Sequence, residues 1–447
     1  MSARQNVLDA IEKARTNEAF NAILTLTEKR ALERADMIDN GTITGSLVGV
    51  PFIAKDNFLT LGGTTTAATK ILENFEAPLQ ATVIEKLEAE GAICIGKANL
   101  DAFAHGGSTE NSAFGPTKNA IDQTRVAGGS SGGSAVVVAL GIVPFALGTD
   151  TGGSIRQPAS FNGIVGVKPT YGMVSRYGVV AMASSTDTVG VLASNAGDAE
   201  LVMGIMSGRD DKDMTTLPDF FLPNELEGKK KIGIIKESMT DDVDIDVRNV
   251  TETYLEKLRG AGHQVEEVSL SLLKYALAVY YIVVPAEISS NLGRYDSIRY
   301  GKRTDATLLS DLYGSARDEG FMTENKRRVM IGSYVLSSGY FDAYYLQAQK
   351  VRTLLINEFT ELFKTYDVLI APVAPTPAFK LGENVADPIK MYLADVMTVP
   401  ASLAGLPAIS MPAGSSEQGL PIGVQLIGKR RDDALLLALA KSMEGNA

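Results

Sequence analysis

The chain has 447 residues, of which 45% are hydrophobic, and a chain of this size can bury a large core. Its 43 glycines follow no period and its apolar fraction is high, which excludes collagen-like and disordered chains. The formal net charge of −11 disfavours unaided binding to nucleic acids, because an acidic surface repels phosphate groups.

The first predicted element is a long helix. Apolar residues recur at helical spacing over residues 4–38, and Asn40-Gly41 is a natural end for a helix. The polar start of this stretch does not match a signal peptide, and no apolar run in the chain reaches transmembrane length. We therefore expect a cytoplasmic protein without a membrane segment.

Strands and helices alternate after this first helix. Residues 48–54 predict a strand that ends at Lys55, residues 81–90 predict a helix and residues 92–95 a further strand. Cys94, the only cysteine, lies in this last strand and is interpreted as a small buried hydrophobic residue. The alternation predicts an α/β sheet with helices on its faces.

The second half of the chain continues the alternation after a polar connector at residues 207–231. Strands are predicted at 231–236, 264–268 and 367–371, and helices at 245–259 and 432–443. A second functional region is predicted within residues 275–350, which are rich in Tyr, Ser and Arg.

The chain has only two histidines, which narrows the chemistry. His263 follows Gly262 at a predicted helix-to-strand turn and is interpreted as a surface residue. A Ser–His–Asp triad would have to use His105, and no Gly-x-Ser-x-Gly nucleophile elbow accompanies it. Zinc is disfavoured as well, because the sequence contains no His-Glu-x-x-His pattern and no cysteine cluster.

Two loops rich in Gly, Ser and Thr remain, at residues 127–135 and 148–158. A flexible linker is one interpretation, but the apolar runs 136–140 and 143–147 between the loops indicate packed structure. A phosphate-binding loop is another, although neither loop has the order Gly-x-x-x-x-Gly-Lys-Ser/Thr. The pattern favours a catalytic site made of hydroxyl groups.

Both loops, together with the upstream segment 53–57, resemble the amidase-signature family. The resemblance implies an α/β fold with a central mixed sheet flanked by helices, formed as a single domain by residues 1–447. It also implies a Ser–Ser–Lys triad, in which Ser154 is the nucleophile, Ser130 the relay and Lys55 the base. In this family a cis peptide bond precedes the relay serine.

Elementary chemistry supports these roles. A serine hydroxyl needs an adjacent base to attack an amide, and a lysine can serve once burial has lowered its pKa. Lys55 ends an apolar strand, where burial is expected. The successive N–H groups of Thr151, Gly152 and Gly153 can bind the oxyanion of a tetrahedral intermediate, so these three residues are the candidate oxyanion hole.

Further segments resemble one subfamily, the A subunits of the glutamyl-tRNA(Gln)/aspartyl-tRNA(Asn) amidotransferases. These segments are found at 106–115, 168–172, 174–178, 280–281, 289–292, 337–340 and 350–352. The resemblance implies a glutaminase without a cofactor or metal of its own, which passes ammonia to a partner. It also implies a heterotrimer with subunits B and C, in which the partner uses ATP and magnesium and makes the main tRNA contacts.

The same resemblance implies a glutamine site within about residues 275–400, beside a Gly/Ser-rich core at about 48–195. Its implied substrate contacts are Tyr280, Arg328 and Asp395. An arginine fork suits the α-carboxylate, an aspartate suits the α-ammonium and a tyrosine hydroxyl supplies a neutral contact. Arg327 is the alternative to Arg328.

The chain departs from the family in a few places. It starts late and ends early, and His105 stands where a methionine is more common beside the glutamine pocket. Two other functions stay open: a stand-alone amidase that turns over simple carboxamides by itself, and a catalytically silent scaffold subunit with an inert triad. Whether Gln-tRNA, Asn-tRNA or both are made depends on the partners.

Overall fold

A computed structural model describes residues 2–444. Its strands are β1 (Ile23–Leu26), β2 (Pro51–Lys55), β3 (Ile93–Ala98), β4 (Phe145–Asp150), β5 (Val165–Lys168), β6 (Thr188–Ala193), β7 (Lys231–Ile235), β8 (Gln264–Val268), β9 (Val368–Pro372), β10 (Ala408–Ser415) and β11 (Pro421–Gly428). They form one sheet in the order β1-β3-β2-β4-β6-β5-β10-β11-β9-β7-β8. β2 pairs in parallel with β3 and β4, β7 pairs in parallel with β8 and β9, and the other pairs are antiparallel. The predicted mixed sheet is therefore confirmed.

Helices flank this sheet. The α-helices are α1 (Ala3–Thr16), α2 (Glu28–Asp39), α3 (Thr82–Ala89), α4 (Gly132–Ala139), α5 (Arg156–Asn162), α6 (Ala196–Met206), α7 (Ile245–Gly260), α8 (Leu273–Asn291), α9 (Leu309–Gly320), α10 (Thr323–Val335), α11 (Gln347–Leu362), α12 (Pro388–Leu393), α13 (Val399–Leu403) and α14 (Asp433–Glu444). Single helical turns occur at Glu18–Phe20, Ala102–Ala104, Lys236–Ser238 and Leu292–Arg294, and a π-helical segment, Phe341–Leu346, precedes α11. Within residues 2–444, no helix combines the length and the apolar character that a bilayer span requires.

Strand β2 shows that both faces of the sheet are covered. Phe52 and Ala54 pack into one hydrophobic cluster and Ile53 into another, and all three side chains are fully buried. Strands buried on both faces are continuous apolar runs, which is why the sequence pattern located β2 and β3. Cys94 in β3 is buried, as predicted.

The prediction of one helix over residues 4–38 is wrong. Asn17 ends α1 and Asn21 takes a left-handed conformation with φ 52°, after which the chain forms β1. β1 pairs with β3, a long-range contact that helical periodicity does not indicate. The surface prediction for His263 is also wrong, because its Nδ1 accepts a hydrogen bond from the Lys230 N–H and the residue is only 6% exposed. The other predicted strands and helices are present with slightly shifted ends.

Candidate active site

The proposed catalytic residues lie near the carboxyl ends of two neighbouring strands of the sheet. β2 and β4 are parallel neighbours, so Lys55 at the end of β2 lies beside the end of β4, where the loop with Ser154 begins. The loop 127–131, which carries Ser130, leads into α4. The N–H of Ser131 donates to the carbonyl oxygen of Ser154 over 3.1 Å and joins the two loops. The fold thus brings together both sequence motifs and the lysine.

Lys55 is the centre of a buried hydroxyl network. Its side chain is fully buried, and Nζ lies 2.7 Å from Ser130 Oγ, 2.9 Å from Ser131 Oγ and 2.9 Å from Thr149 Oγ1. Burial lowers the pKa of Lys55 to about 7, although the charges of three nearby aspartates oppose the shift. A lysine with this pKa is partly neutral at pH 7 and can accept a proton from Ser130.

The relay loop contains the cis peptide bond that the resemblance implies, between Gly129 and Ser130. Gln157 in α5 holds this loop, because its Oε1 accepts a hydrogen bond of 2.8 Å from the Gly129 N–H. Ser130 is fully buried, whereas Ser154 is 9% exposed and is the most exposed member of the proposed triad. This arrangement suits a nucleophile that meets a substrate while its relay and base are shielded from water.

The proposed oxyanion loop has free donors. The N–H groups of Gly152 and Gly153 donate to no acceptor within residues 2–444. Neighbouring hydroxyl groups hold the loop: Thr398 Oγ1 donates to the Gly152 carbonyl oxygen over 2.6 Å, and Thr151 Oγ1 donates to Asp187 over 2.8 Å. A side-chain carbon at position 153 would lie 2.2 Å from Thr398 Oγ1, so only glycine fits there. Fixed donors of this kind can stabilise a developing oxyanion.

A buried ion pair supports the same loop. Arg156 Nε and Nη2 each lie 3.0 Å from a carboxylate oxygen of Asp150, and both side chains are fully buried. Arg156 Nη1 also donates to the carbonyl oxygen of Thr398 over 2.9 Å. Asp150 and Arg156, which flank the nucleophile loop, therefore bind each other. Arg156 also binds Thr398, whose hydroxyl donates to Gly152.

A cavity of about 320 Å³ lies next to the relay loop. Lys55, Ser130 and Ser154 are not among the residues that line it. Two of the predicted substrate contacts, Arg328 and Asp395, line it together with the segment 106–108. Gly107 packs against the relay loop, since a side-chain carbon on Gly129 would lie 2.9 Å from the Gly107 carbonyl carbon. The volume suits a small-molecule ligand. No group of three or more His, Cys, Asp or Glu side chains that could hold a metal ion is found here or elsewhere in residues 2–444.

Arg327 and Arg328 both line the cavity, but only Arg328 is buried in its wall. Its side chain is 4% exposed, against 39% for Arg327. Tyr281 and Tyr392 lie 5.3 Å and 5.8 Å from the guanidinium, and Glu324 Oε1 accepts a hydrogen bond of 2.8 Å from Nε. Burial disfavours the charge of Arg328, but Tyr281 and Glu324 outweigh this and raise its pKa. Arg328 is therefore a permanent cation that can face an anionic group of a ligand.

The ionisation of Asp395 would change if a cationic group were bound beside it. Burial raises its pKa to about 8, and the charge of Arg328 opposes the rise. Both carboxylate oxygens lie 3.6 Å from the position that a side-chain carbon on Gly107 would take, and Gln157 Nε2 lies 3.5 Å from the same point. A bound ammonium group would favour the ionised carboxylate and lower this pKa.

Tyr280 lies at the oxyanion loop rather than at the cavity. A side-chain carbon on Gly152 would lie 2.7 Å from Tyr280 Cζ, so the ring packs directly on the loop backbone. The adjacent Tyr281 lines the cavity instead. A contact between Tyr280 and the substrate stays a prediction, and the structure limits it to the end of the substrate that reaches Gly152.

Comparison with known proteins identifies the family. The family model named Amidase matches residues 5–437. The chain belongs to the amidase family. A curated relative from Latilactobacillus sakei, named as the A subunit of glutamyl-tRNA(Gln) amidotransferase, is 51% identical over 97% of this chain and 90% of its own length. Another of the same name, from Cyanothece sp., is 50% identical over 99% of this chain and 94% of its own length.

A solved structure agrees with this assignment. The crystal structure of the A subunit of glutamyl-tRNA(Gln) amidotransferase from Thermotoga maritima is 41% identical in sequence to this chain. The match covers 100% of this chain and 92% of the other, with a TM-score of 0.84. The resemblance to the amidase-signature family and the α/β fold that it implies are both confirmed.

Sequence reasoning missed several residues around the site of this member of the amidase family. Ser131 and Thr149 share the hydrogen-bond network of the buried lysine. Glu324 binds Arg328, and Tyr392 Oη donates to the same carboxylate over 2.9 Å. The spacing of Glu324 and Arg328, four residues apart on one helix, is a usable signal for their contact. The other contacts join distant segments, and no local pattern predicts them.

Proposed function

We propose that this chain is the glutaminase subunit of a tRNA-dependent amidotransferase. The observation that carries the proposal is the cavity that Arg328 and Asp395 line, which lies next to the relay loop of Ser130. Glutamine has an anionic α-carboxylate, a cationic α-ammonium and a side-chain amide, and these match the cation, the carboxyl group and the hydroxyl network. The name shared by the curated relatives, which describes the A subunit of glutamyl-tRNA(Gln) amidotransferase, supports the same function.

In the proposed reaction, glutamine forms an ester with Ser154. Neutral Lys55 accepts a proton from Ser130, which accepts the proton of Ser154 as the Ser154 oxygen attacks the side-chain amide carbon. The N–H groups of Gly152 and Gly153 bind the oxyanion. The proton then passes to the leaving nitrogen, ammonia departs, and a water molecule hydrolyses the ester to glutamate.

The proposed partners are subunits B and C. Forming an amide on a tRNA-linked carboxylate requires activation by ATP, and the sequence contains no P-loop pattern. The net charge of −11 disfavours tRNA binding by this chain alone. We assign ATP, magnesium and the main tRNA contacts to a partner that receives ammonia from this chain. A path closed to water would keep the ammonia from being lost.

Reconstitution with mischarged tRNA tests this function. We expect amidated aminoacyl-tRNA when glutamine, ATP, magnesium and subunits B and C are all present, and none with this chain alone. The amino acids released from the tRNA are separated and measured. A complex with Ser154→Ala is the control, because added ammonium chloride should replace its lost glutaminase. Amidated tRNA from the chain alone would contradict the proposal, and faster turnover of unrelated amides than of glutamine would favour a stand-alone amidase.

Arg328→Ala should remove recognition of the α-carboxylate of glutamine, and Asp395→Asn should remove recognition of its α-ammonium. Loss of a charge-assisted contact costs about 1.5–3 kcal/mol, or about 10- to 150-fold in kcat/KM. Arg328→Ala should affect glutamine and glutaramate, which lacks the α-ammonium, but spare γ-aminobutyramide, which lacks the α-carboxylate. Asp395→Asn should affect glutamine and γ-aminobutyramide but spare glutaramate.

Ammonia release measures both variants, and Arg327→Ala is the matched control because its side chain is 39% exposed. Equal losses on all three substrates would show that Arg328 and Asp395 do not bind the two α-groups.

A further inference from the structure

His105 lines the substrate cavity but has no role in the reaction described above. Its side chain is fully buried, and it shares the cavity wall with Arg328 and Asp395. Its Nε2 has almost no accessible surface, so a molecule in the cavity contacts it only if the wall shifts. The hydrogen-bonding state of His105 then decides what it can recognise.

The hydrogen bonds of Asn325 determine which imidazole nitrogen carries the proton. The N–H of Met322 donates to Asn325 Oδ1 over 3.0 Å, so the amide nitrogen of Asn325 points the other way. That nitrogen donates to the carbonyl oxygen of Ala102 and lies 2.8 Å from His105 Nδ1. Nδ1 is therefore an acceptor, and the neutral ring carries its proton on Nε2.

The Nε2–H group of His105 has no partner within residues 2–444, and it is buried. A buried donor without an acceptor is unfavourable and rare in folded proteins. Burial, and then the charge of Arg328, lower the pKa of His105 well below its usual value, so the ring stays neutral. His105 is thus a neutral donor, held in place by Asn325, that needs an acceptor.

We propose that His105 is a specificity-determining residue whose Nε2–H donates a hydrogen bond to the α-carboxylate of bound glutamine. The inference rests on the proposed glutaminase function and adds a contact to it. The α-ammonium has no lone pair and cannot accept a hydrogen bond. The side-chain amide oxygen is needed at Gly152 and Gly153, whereas the α-carboxylate is drawn to Arg328 on the same wall as His105.

Two variants separate this hydrogen bond from a structural role. His105→Asn places an oxygen near the position of Nδ1, so it keeps the contact with Asn325 and removes the Nε2–H donor. His105→Gln reaches the position of Nε2 and keeps a donor there, but it loses the acceptor for Asn325. A structural role predicts greater damage from His105→Gln, whereas the proposed role predicts greater damage from His105→Asn.

We expect His105→Asn to lower kcat/KM for glutamine about 10- to 100-fold. The same variant should lower kcat/KM for γ-aminobutyramide by less than about 3-fold. His105→Gln should keep kcat/KM for glutamine within about 3-fold of the unchanged chain. Ammonia release is measured, and thermal melting checks that each variant folds. Equal losses on both substrates, no loss in His105→Asn, or a loss that is as large in His105→Gln would overturn the proposal.

A measurement on the unchanged histidine decides the question even if a variant does not fold. The Ser154→Ala chain, with histidine labelled in its imidazole nitrogens, has only two histidines, and His263 is the internal control. Glutamine and glutaramate should shift the Nε2–H resonance of His105 downfield, and γ-aminobutyramide should not. If calorimetry detects the binding of glutamine but the Nε2–H resonance does not shift, only the His105 inference is overturned. No binding of glutamine at all would contradict the proposed function.

Discussion

Ser154→Ala should lower glutaminase activity by at least about 10⁴-fold, because the chain then lacks the oxygen that forms the ester. Ser130→Ala should lower it by about 10²–10⁴-fold, because the nucleophile loses its route to the base. Acid quenching after mixing with glutamine, followed by intact-mass spectrometry, should show a glutamyl adduct on the unchanged chain and none on Ser154→Ala.

Ser134→Ala is the matched control for both serines. Ser134 lies in the same Gly/Ser-rich motif and is fully buried, but its hydroxyl donates to the Leu147 carbonyl oxygen over 2.9 Å and makes no hydrogen bond to Lys55. It should therefore retain the adduct. An adduct that persists in Ser154→Ala would remove this residue as the nucleophile.

Lys55→Met should lower kcat by about 10³-fold and abolish the pH dependence near neutrality. The ammonium form of Lys55 cannot accept a proton, so kcat should rise with pH through the pKa of about 7 and level off above it. The measurement uses saturating glutamine, because the bound α-ammonium keeps Asp395 ionised and removes its titration from the profile.

Lys168→Met is the control for this pH profile. Lys168 is also fully buried, and burial and the charge of Arg156 lower its pKa to about 7 as well. Its Nζ, however, donates to the Pro169 carbonyl oxygen over 2.9 Å rather than to a serine of the triad. The inflection should therefore survive in Lys168→Met. If it survived in Lys55→Met instead, Lys55 would not be the titrating base.

Several features of the site were predictable from short segments. Two apolar runs separate the Gly/Ser-rich loops around Ser130 and Ser154, and the structure places these runs in α4 and β4. A loop between two buried elements keeps its backbone N–H groups near the sheet edge, where they can serve a ligand. The exclusion of a side chain at position 153 is different, because it results from Thr398, which is distant in the chain.

Other features depend on contacts between distant segments. Both Arg327 and Arg328 are arginines on α10, and only the packing of Tyr281 and Tyr392 buries one of them. Similarly, Tyr280 and Tyr281 are neighbours in α8, and their different surroundings direct one to the oxyanion loop and the other to the cavity. Residue type and spacing are the same for both members of each pair, so the sequence alone could not distinguish them.

The sequence by itself determined the family, the α/β class and the residue types of the proposed triad, because these are written in short motifs and in local apolar periodicity. Only the tertiary structure decided the environment of those residues. The pKa of Lys55 depends on burial at the edge where β2 meets β4, and the proton on His105 Nε2 depends on Asn325 from α10. Burial and hydrogen-bond partners arise when strands and helices far apart in the chain pack together, so no local pattern contains them.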